Sequence, residues 1–191
     1  MANIETGRPE CVSELKARDL RHFFEQHYRP PNMCVVACGN VSARDVLEWA
    51  EGNFDGLPRA PMSDGREPPV PRACTKVFPR KGDQAYVEVG FPGLPGSHPD
   101  RKALTVACII MGGGTSSRLY QTVREDRGLV YHISMYPQSY TDCGIVDTFF
   151  SASIGNLVPV MRTVSEEISR FKDQGPTAEE VQRAKRWIKG M

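Results

Sequence analysis

Prolines at 58, 61, 68, 69 and 71, interleaved with Gly65 and several charges, exclude helix and central strand from the stretch Pro58–Arg72. Each proline fixes φ and lacks a backbone N–H, so the stretch is predicted to run extended as a linker. A chain of 191 residues interrupted in this way is expected to fold as two segments, 1–57 and 73–191, joined across 58–72.

Each segment has its own pattern. In the first, apolar Leu15, Leu20, Phe23 and Phe24 predict one helix from Ser13 or Glu14 to about His27, stopped by Pro30 and Pro31. Asn32 to Cys38 reads as a buried strand ended by Gly39-Asn40. Ser42 then caps a helix whose Val46, Leu47, Trp49, Ala50 and Phe54 form an apolar stripe. The second segment opens on two strand patterns, Cys74–Phe78 and Gln84–Phe91. In the latter, Ala85, Val87 and Val89 alternate with Tyr86 and Glu88. Asp100 is placed to cap a helix through Met111 that is apolar on nearly every side and expected to be deeply buried. Gly112-Gly113-Gly114 breaks it, and Thr115 or Ser116 starts a shorter helix to about Arg127, with Gly128 as its C′ residue. Leu129–Met135 and Gly144–Ala152 are predicted to pair antiparallel. A long amphipathic helix follows from Asn156, ended by Gly175-Pro176, and Thr177-Ala178-Glu179-Glu180 supplies a capping box for a last helix. Adjacent antiparallel strands mixed with helices predict an α+β fold.

Composition narrows the function. The net charge of +1 comes from Lys and Arg spread along the chain, with no basic stripe for nucleic acid or an anionic membrane. The longest apolar run, Val106–Met111, is too short to span a bilayer, and Met1–Glu5 lacks a basic-then-apolar leader pattern. The six cysteines form no Cys-x-x-Cys pair and fall mostly in apolar segments. Cys34 and Cys38 share a face of the predicted strand, so a metal or redox pair competes there with buried thiols. Buried reduced thiols are the expectation, and with them a cytoplasmic location.

Three blocks of the chain, in order, resemble the pitrilysin/insulinase family of zinc metallopeptidases, which includes mitochondrial processing peptidase. The first is His27-Tyr28-Arg29-Pro30-Pro31-Asn32-Met33 with Val35-Val36-Ala37-Cys38-Gly39-Asn40-Val41. The second is Gly90-Phe91-Pro92-Gly93 with His98-Pro99-Asp100. The third is Gly112-Gly113-Gly114-Thr115-Ser116-Ser117-Arg118-Leu119-Tyr120-Gln121, continued by Val123-Arg124-Glu125 and Arg127-Gly128-Leu129-Val130-Tyr131. The resemblance implies partial peptidase halves with largely antiparallel sheets: 1–57 would be the tail of the first half and 73–191 the front of the second. It fits a chain that opens on a helix and closes inside one, as a fragment would.

The family's zinc motif, His-x-x-Glu-His, is absent; the histidines are His22, His27, His98 and His132. His22 and His27 are a near miss, since five residues at about 100° each place them roughly 140° apart around a helix. No metal site is therefore expected in this chain, and the resemblance implies zinc in a complete parent. The triple glycine follows a helix and precedes no Lys-Ser/Thr pair, so it is not a phosphate loop. It reads as a tight passage needing positive φ. The resemblance adds a role in substrate access or binding for Gly113, Gly114 and Ser116.

Arg124 sits in the last turn of a helix, Gly128 reverses the chain, and Tyr131 lies early in the following strand, so the two side chains can converge beyond the helix end. The plain alternative is an arginine complementing the helix dipole and a tyrosine packed in a strand. The resemblance implies a catalytic pair, Arg124 and Tyr131, donating to a substrate carbonyl and its oxyanion. Arg118 reads as a helix-start residue and Arg127 as a solvated one. The expected function is thus part of a metalloendopeptidase acting on peptides, inert alone and completed by the missing first half or a partner subunit. Self-association through uncovered apolar flanks is also expected. A non-catalytic partner subunit and a small α+β binding module remain as alternatives.

Overall fold

The structure is a computed structural model describing residues 6–57 and 67–190. The greater part of the predicted linker, 58–66, lies outside the described residues, and 67–72 carry no regular structure. The chain divides into two compact units, Met1–Arg66 and Glu67–Met191.

In the first unit the single predicted helix is two. α1 (Pro9–Glu14) has Pro9 at its start, and α2 (Ala17–His27) follows after Leu15 and Lys16 turn extended. The break has a local cause. The Asp19 carboxylate accepts the Lys16 backbone N–H at 3.0 Å, a start signal that interrupts the apolar periodicity. A short 3₁₀ turn, Pro30–Asn32, is closed by Asn32 Nδ2 donating to the His27 carbonyl at 3.0 Å. The predicted buried strand Asn32–Cys38 does not form. Residues 33–38 carry no regular structure and no ladder among the described residues, and Val36 is 84% exposed. Cys34 and Cys38 are exposed with it, so the expectation of buried thiols fails there, as it does at Cys11 and Cys74. α3 (Ala43–Phe54) is capped as predicted, the Ser42 hydroxyl accepting from the Asp45 N–H at 3.1 Å.

The second unit holds the core. β1 (Gln84–Pro92), β2 (His132–Ser139) and β3 (Gly144–Ser153) form an antiparallel sheet in the order β1-β3-β2. The register pairs Val87 with Phe150 and Val89 with Thr148, and sets Ile133 opposite Phe150 and Met135 opposite Thr148. Alternation therefore aims Val87, Val89, Phe150, Ile133 and Met135 to one face. That face packs with Cys108 and Met111 of α4 (Arg101–Gly112), with Leu119 and Val123, and with Val160 and Val164 of α5 (Leu157–Gln174). Burial pushes the Cys108 thiol up to about 11, so it is an inert core residue. Pro137 sits within β2, which among the described residues has a neighbour on one side only, so a missing N–H is tolerated. α6 (Ala178–Lys189) starts at the predicted capping box, Thr177 Oγ1 accepting from the Glu180 N–H and Glu180 from the Thr177 N–H.

Three expectations change here. Cys74–Phe78 pairs with nothing among the described residues, and Val77 and Phe78 are 81% and 78% exposed. α4 is buried at Cys108, Ile110, Met111 and Gly112, while Lys102 and Ala103 at its start face solvent; Asp100 makes no side-chain cap. β2 begins at His132 rather than Leu129, because the Gly128 and Leu129 N–H groups return to the helix carbonyls of Arg124 and Val123. Among the described residues no helix is long and apolar enough to cross a membrane.

Candidate functional site

The helical segment 118–125 does not stay α-helical. From Tyr120 to Glu125 it widens into a π-helical turn, with the Asp126 N–H reaching back to the Gln121 carbonyl at 2.8 Å. Leu119 and Val123, both fully buried, anchor its inner side. Gly128, at φ +59°, reverses the chain, a conformation in which a side chain at that residue would be strained. The Tyr131 N–H then donates to the Ser151 carbonyl at 3.2 Å, and Asn156 Nδ2 donates to the Leu129 carbonyl at 3.3 Å. These contacts fix the corner between the turn and β2.

The corner opens a depression of about 360 Å³ at the end of the sheet where β1 starts and β3 finishes. Arg124 and Tyr131 both line it, with Gln84, Glu125, Ser153 and Asn156 among the other walls. Tyr131 is 74% exposed, so its ring is not spent on packing. The Arg124 guanidinium lies over the Tyr120 ring, 4.7 Å from Cζ to the centroid, and its Nε is 3.9 Å from Glu125 Oε1. Chemically this sets two hydrogen-bond donors, a guanidinium and a phenol, beside the Glu125 carboxylate in a depression open to solvent.

Gly113, Gly114 and Ser116 are not part of it. They line a separate small cleft against α6, with Glu180, Arg183 and Trp187. The triple glycine also has a different reason from the one predicted. None of the three has positive φ. A Cβ on Gly112 would strike the Met135 backbone nitrogen, and one on Gly113 would stand 2.6 Å from Ile109 Cα, so close backbone approach excludes side chains there. At Gly114 the nearest atom is Trp187 Nε1 at 4.0 Å, which leaves room.

Two basic residues make contacts beyond those expected of them. Arg118 does more than start a helix: it grips Glu180 through both oxygens, Nε–Oε1 at 2.6 Å and Nη2–Oε2 at 2.8 Å. It also donates to the Gly175 carbonyl at 3.1 Å and lies 5.2 Å over the Phe171 ring. Hydrogen bonding from Arg118 is the main cause that holds the Glu180 carboxyl down at about 2. Arg127 is exposed, as expected, and its Nη1 also donates to Thr163 Oγ1 at 2.7 Å.

Sequence reasoning missed Asp147. In the β1–β3 register Gly90 opposes Asp147 and Glu88 opposes Phe149, which puts Glu88 and Asp147 diagonally on the face away from the core. Burial, then the neighbouring Glu88, raise the Asp147 carboxyl to about 6. Its signal is an acidic residue at matching parity on each of two paired strands, readable only once the register is known.

The histidine near miss is split between different neighbours. His22 Nε2 is 3.0 Å from Gln26 Nε2, while the His27 ring lies 4.2 Å from the Phe23 ring, tilted 33° to it. Among the described residues no three His, Cys, Asp or Glu side chains converge as metal ligands would.

Residues 14–187 match the family model described as the peptidase M16 inactive domain. The chain is 31% identical over 193 aligned positions to an uncharacterized zinc protease of Streptomyces coelicolor, covering 96% of this chain and 42% of the relative. It is 29% identical to the uncharacterized zinc protease YmxG of Bacillus subtilis, covering 96% of this chain and 45% of the relative. The chain thus spans less than half the length of these relatives. Among solved structures, a peptidase M16 inactive domain from Pseudomonas fluorescens superposes with a TM-score of 0.86 at 24% identity. That match covers 99% of this chain and 46% of the other.

Proposed function

The chain belongs to the peptidase M16 family, of which it carries the inactive domain, and on that premise we propose that it supplies the substrate-stabilising half of a zinc endopeptidase. In this reading residues 1–57 end a catalytic half, 58–72 link, and 73–191 begin the half that lacks metal. Arg124 and Tyr131 donate hydrogen bonds to the carbonyl of a bound peptide and to the oxyanion that forms from it. The observation that carries the reading is that these two donors, unused by the core, line one open depression at the sheet's end. Gly113, Gly114 and Ser116 contact substrate from the separate cleft by α6.

The zinc in the relatives' names does not fit the residues described here, so no step runs through a metal held by this chain. In the M16 family the inactive domain pairs with a catalytic half, and the proposal assigns the metal and its water to that half. Six unpaired cysteines, four of them exposed, support a reducing compartment such as the cytoplasm.

The test is a chimera in which this chain replaces the matching stretch of the Streptomyces coelicolor relative. Tyr131→Phe should leave zinc content and folding intact and lower kcat on a peptide substrate, since one oxyanion donor is worth on the order of a hundredfold. Arg124→Lys should also impair turnover, because an ammonium lacks the planar fork of donors. Arg162→Lys is the control, an exposed residue of α5 away from the depression. Full activity in both Tyr131→Phe and Arg124→Lys would overturn the reading.

A further inference from the structure

An arginine that is to stabilise developing charge must have its guanidinium in place beforehand, because ordering a free arginine costs about 2 kcal/mol of rotamer entropy. The Arg124 side chain is about 39% exposed, and its one carboxylate neighbour among the described residues, Glu125, stands at 3.9 Å, beyond hydrogen-bond distance. What lies beneath it is the Tyr120 ring, 4.7 Å away and one turn earlier on the same segment. Tyr120 is itself held, half-buried and packed on the core cluster beside Leu119 and Val123.

We propose that Tyr120 is the positioning residue of this site: its ring face, presented by the π-helical turn, holds the Arg124 guanidinium at the rim of the depression. The inference rests on the role given above to Arg124, and adds the residue through which that role is set. A cation resting on an aromatic face keeps the edges of its plane open. Among the described residues the two terminal amino groups of Arg124 donate no hydrogen bond, so they stay available to an acceptor entering the depression. The widened turn contributes as well. It displaces the end of the segment from regular α-helical geometry while Leu119 and Val123 stay buried, so the turn carrying Arg124 leans on Tyr120 without leaving the core.

The first readout is the NMR spectrum of this chain. The side-chain resonances of Arg124 should be shifted upfield by the ring current, should stay shifted in Tyr120→Phe, and should return to ordinary positions in Tyr120→Leu. Unshifted resonances in the unaltered chain, or no change in Tyr120→Leu, overturn the proposal without touching the role of Arg124. The second readout uses the chimera described above. Tyr120→Leu should lower kcat by about two- to fivefold with little effect on KM, and Tyr120→Phe should restore it. If Arg124→Ala is impaired while Tyr120→Leu turns over normally, the positioning role fails and the reading of Arg124 stands. If Arg124→Ala is itself silent, that reading falls and the positioning role with it. Should the chimera not turn over, the spectrum decides the positioning claim by itself.

Discussion

Arg118 and Glu180 are 62 positions apart, and their side chains are only 17% and 13% exposed, so each charge depends on the other. Removing one leaves its partner desolvated and unpaired, which costs about 3 kcal/mol for a pair of this burial. Glu180 is also the third residue of α6 and closes its capping box, so the same carboxylate starts a helix and ties it to the 118–125 segment. Its carboxyl, ordinarily at 4.5, is held at about 2 in the folded chain. A depressed carboxyl contributes stability above 4.5 and loses it as pH falls toward 2. Asp147 works in the opposite direction. Raised from 3.8 to about 6, it favours the fold below 3.8, and that contribution is lost as pH rises through 6. Thermal melts across pH should therefore show Glu180→Gln flattening the acid limb below 4.5, and Asp147→Asn flattening the slope between 3.8 and 6. An Arg118→Ala melt as stable as the unaltered chain at pH 7 would show that the pair contributes nothing.

Among the elements, those governed by short-range chemistry were legible in the sequence. α3 with its Ser42 cap, β1 with its alternation, the start of α5 after Asn156, and α6 with its capping box all form where predicted. Asn32–Cys38 and Cys74–Phe78 also read as strands and form none among the described residues. A strand is completed by a neighbour, and the neighbour is not written in the segment itself. The α1–α2 break hid for a related reason, since one hydrogen bond to Asp19 outweighed an apolar period. At the site, the Gly128 reversal is local and readable, whereas the separation of Gly113, Gly114 and Ser116 from the depression depends on where α6 packs. The glycines allow a sharper test. Gly112→Ala and Gly113→Ala should each destabilise by about 1–3 kcal/mol, because the new methyl meets backbone atoms that cannot yield. Gly114→Ala, with open space around it, should be close to neutral in the same denaturant titration. Equal losses at all three would mean that the passage needs flexibility rather than close approach.

At the scale of the whole molecule the two units differ in kind. Every residue of the main hydrophobic cluster belongs to the second, whereas α1, α2 and α3 contain no buried residue. Leu20, Phe23, Phe24, Leu47 and Trp49 stand between 47% and 61% exposed on the amphipathic helices of the first unit. An apolar surface of that extent is rarely left wet, and it weakens the helices that carry it, since helical stability comes mostly from a packed face. Hydrogen exchange on a dilute sample should find the amides of β3 and α5 protected to near the global limit, and those of α2 and α3 exchanging orders of magnitude faster. Raising the protein concentration should slow exchange selectively in α2 and α3, as their apolar faces are covered by association, with a matching rise in light scattering. If α2 and α3 are already as protected as β3 in a monodisperse monomer, their apolar faces are covered within a single chain, and the expectation of self-association fails.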